Sequence, residues 1–226
     1  MSFYEWGIRA LPEGSDSPSR LGFAAKHLGY NGIIICNLEP RNIFRPDASR
    51  KIKGISISFG ALVAASTPRS MIAHVENSRQ RYPFIAVRGG SKEINRAACE
   101  NPFVDVLLHP EDGKHILEIS SARAAKLNRV AMGVDLSPLI RLRGGSRSKW
   151  LDILRRNLDL IRKFDLDIMI TAGCRSSLDL RAPRDLMAMA EIAGLEPSEA
   201  ERAMSLPAKI LDLNMRSWAG PGVELL

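Results

Sequence analysis

The stretch VRGGSKEINRAACENPFVDVLLHP, Val87 to Pro110, contains two short apolar runs that each end in a polar side chain. The first run ends at Arg88 and two glycines, and the second ends at His109 and a proline. Apolar strands separated by a polar, helix-like segment are typical of a parallel sheet, in which the carboxyl ends of the strands lie at one edge. We therefore expect Arg88 and His109 on the same face of the fold.

The same alternation of strand and helix patterns continues through all 226 residues. Apolar, β-branched runs predict seven strands, at Phe3 to Ile8, Gly32 to Asn37, Ile52 to Ser58, Phe84 to Arg88, Val104 to His109, Val130 to Asp135 and Ile168 to Thr171. Helical patterns lie between them, including an apolar stripe from Trp150 to Ile161 and a helix that begins near Pro183 and ends at Gly194.

These patterns predict one α/β domain over residues 1–226, a TIM-like (βα) barrel that is irregular because it has about seven strands instead of eight. A doubly wound open sheet is the weaker alternative, since no G-x-G-x-x-G follows the first strand and no Walker-type loop occurs. No apolar run is long enough to span a bilayer, and the first residues lack the pattern of a signal peptide, so we expect a cytoplasmic protein without a membrane partner.

Positive charge is concentrated in two segments of a chain whose net charge is +7. Residues 41–53 and 141–149 each carry a local charge of +4. The second segment contains Gly144 and Gly145, which predict a flexible loop. Both segments are either solvated loops or contacts to a phosphate backbone. Aromatic residues make up 6% of the chain and none lies among the basic residues of 141–149 or 175–184, so base stacking is not indicated.

Residues for catalysis are few at the predicted strand ends. A two-metal hydrolase needs several His, Asp and Glu ligands, yet the first strand, FYEWGI, has no histidine, and only His109 and Asp135 remain as candidate ligands. No G-x-S-x-G elbow is present, and the cysteines Cys36, Cys99 and Cys174 are too far apart for a zinc clip and are expected to be buried. The sequence thus predicts a barrel without a metal site, in which His109 and Asp135 are structural residues at the mouth.

Several segments together resemble the RNase P protein component 3 family, whose eukaryotic members form the thirty-kilodalton subunit of RNase P and RNase MRP. They are the opening stretch, VDLSPLIRLRGGSRSKWLDILRRNLDLIRKF, ITAGCRSSLDLRAPRDLMAMAEIAGL and SLPAKILDLN. The similarity runs from about Phe3 to Asn214. One difference is at the start, where the family usually has Phe-Tyr-Asp-Leu and this chain has Phe3-Tyr4-Glu5-Trp6. The chain stops soon after Trp218 without a basic tail, which suggests an archaeal member.

The resemblance implies a metal-free barrel of the PHP-like superfamily that serves as a protein subunit of ribonuclease P. In that enzyme the RNA removes the 5′ leader of precursor tRNA with magnesium ions that the RNA holds, so the protein alone is expected to be inactive and to bind no cofactor. The implied partners are the RNase P RNA, a small RRM-like protein subunit in a heterotetramer, the other RNase P proteins and, indirectly, precursor tRNA.

Basic and polar residues near strand ends and in the charged segments are the predicted RNA contacts. They are Arg88, Asn95, Arg96, Arg141, Arg143, Arg147, Lys149, Arg175, Arg181 and Arg184. Local alternatives stay open for several of them: Arg88 could pair with Asp105, Asn95 and Arg96 could brace their loop, and Arg181 and Arg184 could pair with Asp179 and Asp185.

Two other functions compete with the RNase P assignment. One is a metal-dependent phosphoesterase of the same barrel superfamily, which the missing His-x-His disfavours. The other is an unrelated barrel enzyme that uses Arg88 as an anion clamp and His109 as a general base.

Overall fold

The computed structural model describes residues 2–43, 52–110 and 117–216, together with the backbone of residues 218–220 and 223–224. Seven parallel strands follow one another in chain order around a nearly closed barrel. The strands are β1 (Tyr4–Ile8), β2 (Gly32–Asn37), β3 (Ser56–Val63), β4 (Ile85–Arg88), β5 (Val106–Leu108), β6 (Ala131–Asp135) and β7 (Ile168–Thr171). The predicted seven-stranded, TIM-like barrel is confirmed.

Helices connect most of the strands and cover the outside of the barrel. They are α1 (Pro18–His27), α2 (Pro68–Arg79), α3 (Lys92–Cys99), α4 (Ile119–Asn128), α5 (Ser137–Arg141), α6 (Gly144–Lys163), α7 (Pro183–Ala193) and α8 (Pro197–Met215). A single 3-10 turn at Pro40–Asn42 follows β2, and a short antiparallel pair, β8 (Trp218–Gly220) and β9 (Val223–Glu224), follows α8. The basic residues Arg45, Arg50 and Lys51 lie outside the described residues.

The helix boundaries have local causes in the sequence. Side-chain oxygens of Ser17, Thr67 and Ser91 accept hydrogen bonds from backbone N–H groups in the first turns of α1, α2 and α3. Pro183 begins α7, and Gly194 ends it with φ of +119°, a left-handed conformation that glycine adopts without strain. The predicted start and end of this helix are therefore confirmed.

Most predicted strand ends agree with the structure to within two residues, but the predictions for the third strand and the loop at residues 141–149 are wrong. The third strand begins at Ser56 and continues to Val63, because Gly32 to Asn37 of β2 pair with Ser56 to Ala61. Ser58 therefore lies within the strand and does not end it. The supposed flexible loop at residues 141–149 is helical, since α5 ends at Arg141 and α6 begins at Gly144, six residues before the apolar stripe that starts at Trp150.

Apolar side chains fill the inside of the barrel. Trp6 is fully buried there against Phe84, with ring centroids 5.9 Å apart, and its ring packs close to Gly133. Ile34, Leu62, Ala86, Val106 and Met169 also belong to this inner cluster. A larger cluster lies between the strands and the helices. Cys36, Cys99 and Cys174 are buried and unpaired, as expected.

Helix α8 lies across the end of the barrel at which the strands begin. Its residues Leu206, Ile210 and Leu211 pack against the inner cluster. Near its carboxyl end, Asn214 donates hydrogen bonds to the carbonyl of Pro83 and to Asp105, just before β4 and β5 begin. The helix therefore closes this end of the barrel interior. None of the described helices is long and apolar enough to cross a membrane.

Side-chain hydrogen bonds join β1 to β7, the pair of strands between which the barrel is not fully closed. The indole Nε1 of Trp6 donates to the carbonyl of Ile170 at 2.8 Å, and the hydroxyl of Thr171 lies 2.7 Å from the carbonyl of Trp6. Beyond the strands, the N–H of Arg9 donates to the carbonyl of Cys174 at 2.9 Å. We call this junction the β1–β7 seam.

A fully buried carboxyl group, that of Glu5, lies in the β1–β7 seam. Its Oε1 accepts hydrogen bonds from the Thr171 hydroxyl and the Ala172 N–H, and its Oε2 lies 3.1 Å from the Tyr30 hydroxyl. That hydroxyl is also 2.8 Å from the carbonyl of Arg181, and one hydroxyl proton cannot serve both oxygens well. A protonated Glu5 satisfies both, because it donates to Tyr30 while Tyr30 donates to Arg181.

The pKa of Glu5 agrees with this hydrogen-bond count. Burial raises the pKa from 4.5 to about 7, although the hydrogen bonds from Thr171, Ala172 and Tyr30 oppose the increase. The folded protein therefore binds the Glu5 proton more tightly than the unfolded chain does. Stability from this group is fully present below about pH 4.5 and decreases as the pH rises to about 7, by roughly 3 kcal/mol in total.

A Glu5→Gln variant should lose this part of the pH dependence. The glutamine carbonyl can accept from Thr171 and Ala172, and its amide can donate to Tyr30, so the variant imitates the protonated acid. We expect urea unfolding to show similar stability to the unmodified chain at pH 5 and greater stability at pH 8, by up to roughly 3 kcal/mol. A Glu76→Gln variant on the exposed face of α2 should keep the original profile. Parallel profiles for the Glu5→Gln and unmodified proteins would contradict a protonated Glu5.

Candidate functional site

The barrel mouth is the end of the barrel at which the strands terminate and the connecting loops begin. Arg88 ends β4, His109 follows β5 directly, and Asp135 ends β6. Arg9 and Arg175 lie in the segments that follow β1 and β7. The N–H of Ser15 donates a hydrogen bond to the carbonyl of Arg175 at 2.7 Å, which joins these two segments. The predicted common face of Arg88 and His109 thus carries further basic residues.

Arg88 has an exposed side chain at the last residue of β4. Its backbone pairs with Leu108, and the N–H of the following Gly89 donates to the carbonyl of Leu108 at 2.8 Å. A side chain at Gly89 would collide with Asn95 and with the carbonyl of His109, so only glycine allows the loop to pass here. Among the carboxylates that the structure describes, none forms an ion pair with Arg88.

The alternative pairing of Arg88 with Asp105 is wrong. Asp105 precedes β5 and accepts from the N–H of Ile85, where β4 begins, whereas Arg88 ends β4. Three residues of extended strand separate the two ends, roughly 10 Å. Asp105 instead pairs with Arg79 of α2, whose Nη2 lies 2.8 Å from its Oδ1.

Asn95 braces the loop that follows Arg88. The residue is buried, its Oδ1 accepts from the N–H of Gly90 at 3.1 Å, and its Nδ2 donates to the carbonyl of Pro110. This geometry favours the bracing role over a direct contact to RNA. Arg96 is exposed and forms an i,i+4 ion pair with Glu100 at 2.9 Å. Surface pairs of this kind are weak, so Arg96 can still meet another anion.

His109 and Asp135 form a hydrogen-bonded pair at the mouth. Nε2 of His109 lies 3.4 Å from Oδ2 of Asp135, and Oδ1 of Asp135 accepts from the N–H of Ser137 at 2.8 Å. Burial alone would raise the pKa of Asp135, but the hydrogen bonds and charge of His109 and the hydrogen bonds from Ser137 outweigh it and lower the pKa. Within the described part of the chain, no group of three or more His, Cys, Asp or Glu residues is arranged to hold a metal ion.

The second basic segment lies at the junction of α5 and α6. Arg147 is half-buried, and its Nε donates to the carbonyl of Leu142 at 2.7 Å, which ties α6 to the end of α5. Arg141 lies 3.4 Å from Asp179. Arg143 and Lys149 are exposed. The helix therefore presents these charges in a preformed arrangement.

The third basic group follows β7. Asp179 accepts hydrogen bonds from the backbone N–H groups of Arg175 and Ser176, both at 3.0 Å. The alternative pairing of Arg181 with Asp179 is wrong, because Arg181 donates to the carbonyls of Leu178 and Leu180. Arg175 and Arg184 have exposed side chains, and neither forms an ion pair with a described carboxylate.

Sequence reasoning missed two residues near the mouth. Arg9 directly follows β1, just as His109 directly follows β5. This equivalent position could have indicated from the sequence that Arg9 lies at the barrel mouth. Glu5 was noted only as a departure from the family pattern, because its partners Tyr30 and Thr171 are 25 and 166 residues away in sequence.

The family model for RNase P subunit p30 matches residues 2–219. The chain belongs to this family. A p30-family relative, the ribonuclease P protein component 3 of Methanosarcina mazei, is 36% identical over 99% of this chain and 95% of its own length. Among solved structures, a chain in the cryo-EM structure of an archaeal ribonuclease P with mature tRNA superposes with a TM-score of 0.81 at 26% identity, covering 99% of this chain and 97% of that one.

A more distant likeness concerns the fold alone. The histidinol phosphate phosphatase of Lactococcus lactis, solved with zinc, L-histidinol and phosphate, has a TM-score of 0.53 at 11% identity, with 86% of this chain and 95% of that one covered. The p30-family barrel is therefore shared with a metal-containing phosphatase.

In this p30-family chain, unfolding measurements should distinguish Arg79, which pairs with Asp105, from Arg88 at the end of β4. Arg79→Met would leave the buried Asp105 carboxylate unpaired and remove the donors to Phe103 and Pro83, so we expect a loss of about 3 kcal/mol or more in urea unfolding at pH 7. Arg88→Met should change the free energy of unfolding by no more than about 0.5 kcal/mol. An equally large loss in Arg88→Met would mean that Arg88 has a structural partner.

Proposed function

We propose that this chain is a protein subunit of ribonuclease P that binds the RNase P RNA and supports removal of the 5′ leader of precursor tRNA. The observation that carries the proposal is the match of the RNase P subunit p30 model to almost the entire chain. The chemical step belongs to the RNA in this proposal, so the protein alone is expected to be inactive, and magnesium is held by the RNA. The proposed protein partner is a small RRM-like subunit, joined in a heterotetramer.

The basic residues with exposed side chains are the proposed contacts to the RNA backbone. Arg88, Arg143, Lys149, Arg175 and Arg184 are exposed, and no described carboxylate forms an ion pair with any of them. Arginine presents a planar fork that matches two phosphate oxygens, and each neutralised phosphate releases counterions. Arg96, Arg141, Arg147 and Arg181 already have protein partners and would make secondary contacts.

Recognition of RNA shape and backbone fits this surface better than recognition of bases. The site residues include no aromatic side chain on which a base could stack, and the rings of Trp6 and Phe84 are fully buried in the barrel. Binding should therefore discriminate weakly among sequences and weaken steeply as the salt concentration rises.

Cleavage of precursor tRNA by a matching RNase P RNA at limiting magnesium tests the proposal. We expect this chain together with its RRM-like partner to restore 5′ maturation, and an Arg88→Ala, Arg143→Ala, Arg147→Ala variant to lose that rescue while it still folds. Removing up to three phosphate contacts should also make the salt dependence of RNA binding shallower, by about 0.7 to 0.9 in log–log slope per contact.

A matched variant controls for the loss of three positive charges. Lys163, Arg202 and Lys209 are exposed at the other end of the barrel, where β7 begins. Their replacement by alanine should leave the rescue intact. Cleavage that is indifferent to the protein pair, together with phosphoester hydrolysis by the isolated chain in added manganese or zinc, would overturn the proposal in favour of a metal-dependent phosphoesterase.

A further inference from the structure

Three arginines lie at the barrel mouth although they come from distant parts of the chain. Arg9 follows β1, Arg88 ends β4, and Arg175 follows β7. The segments of Arg9 and Arg175 touch around Gly14, where a Cβ would overlap the carbonyl groups of both arginines. Ala10, the residue after Arg9, is held by Asn37 at the end of β2. The N–H of Ala10 donates to Oδ1 of Asn37 at 3.0 Å, and Nδ2 of Asn37 donates to the carbonyl of Ala10 at 2.8 Å. The backbone that carries Arg9 is therefore rigidly placed.

The Arg9 side chain is largely enclosed by the protein. Only 15% of it is exposed, and its charge acts on Cys36, whose thiol belongs to the inner cluster. Burial and then the positive charges of Arg175 and Arg88 lower the pKa of Arg9, so both arginines repel its guanidinium group.

The nearest acid does little to offset this positive charge. Glu13 lies 3.9 Å from Nη1 of Arg9, at the limit of an ion pair. Its two carboxylate oxygens already accept hydrogen bonds from the N–H groups of Leu38 and Glu39, at 2.9 and 2.7 Å. Asp135 is engaged by His109 and Ser137, and Asp179 is engaged by Arg141 and by the backbone N–H groups of Arg175 and Ser176. Among the described carboxylates, Glu13 is therefore the only one that forms an ion pair with any of the three arginines.

We propose that Arg9, Arg88 and Arg175 form a phosphate-binding site at the barrel mouth. A phosphate group offers several oxygens around one centre, so it can accept hydrogen bonds from more than one guanidinium fork, whereas a carboxylate matches a single fork. The phosphate belongs either to the RNA backbone or to a free phosphate compound, and the first source rests on the proposed function. Arg9 is the central residue of the site because it is the most enclosed of the three.

Thermal unfolding in inorganic phosphate tests the site without RNA. At constant ionic strength, with chloride replaced by phosphate, we expect the Tm of the full chain to rise in a saturable way, because a ligand of the folded state stabilises it. Arg9→Met and Arg88→Met should each weaken phosphate binding at least tenfold, the loss expected for a charge-assisted contact. Arg88 is exposed, so its replacement tests the site even if the enclosed Arg9 is needed for folding.

A matched arginine on another surface provides the control. Arg156 is exposed on α6, and Arg156→Met should keep the phosphate response of the unmodified chain. A Tm that follows ionic strength alone, or an equal loss of response in Arg156→Met, would overturn the proposed site.

Competition with RNase P RNA identifies the source of the phosphate. If the RNA displaces bound phosphate and Arg9→Met weakens RNA binding, the site holds a backbone phosphodiester. If phosphate binds but RNA binding is unchanged in Arg9→Met, the site holds a free phosphate compound. The cleavage assay with the RRM-like partner tests the RNase P function independently of phosphate binding. A negative result for the phosphate site would therefore leave the proposed function intact, and loss of the proposed function would leave the phosphate site intact.

Discussion

The β1–β7 seam is the constraint on which the rest of this barrel depends. Seven strands leave the first and last strands without a regular ladder, and unpaired backbone groups at such an edge are costly when buried. Side chains help to satisfy them, since the Trp6 indole donates to the Ile170 carbonyl across the gap and the Thr171 hydroxyl lies 2.7 Å from both the Trp6 carbonyl and Glu5. Trp6 also fills the barrel interior, so a single residue contributes both to closure and to packing. Truncation of such a buried ring costs about 3–5 kcal/mol in other proteins.

The same seam positions the basic mouth. The hydrogen bond from Arg9 to Cys174 continues the contact of β1 with β7 beyond the strands, and it brings the Arg9 and Arg175 segments together. Arg88 then faces them from β4 because the parallel register places all strand ends at one edge. Closure of the barrel and concentration of positive charge are therefore two results of one arrangement. Trp6, Glu5 and Thr171 hold β1 and β7 together through hydrogen bonds that do not involve these arginines.

Much of the fold could be predicted from local patterns. Strands β2 and β7 have the predicted bounds, Pro183 and Gly194 delimit α7, and Arg88 and His109 lie on one face. The two errors have different origins. The third strand extends to Val63 because its register is set by the distant strand β2. The glycines of the Gly144–Gly145 segment predict a loop, although the segment forms the first turn of α6, where the nearby Arg147 bonds to the carbonyl of Leu142. The role of Glu5 could not be inferred from sequence spacing because its partners are brought near only when the barrel closes. The position of Arg9 directly after β1 indicates its place at the mouth but not its neighbours there.

The Trp6–Ile170 hydrogen bond spans 164 residues, and this separation bears on how the protein is made. At a synthesis rate of about 5 to 20 residues per second, β1 must wait roughly ten seconds or longer before β7 leaves the ribosome. Helix α8, which closes the opposite end of the barrel, emerges later still. During that interval Trp6 and the other inward-facing side chains lack their final neighbours, and contacts of such long range form slowly. The nascent chain is therefore most vulnerable to aggregation and proteolysis before its last third is synthesised.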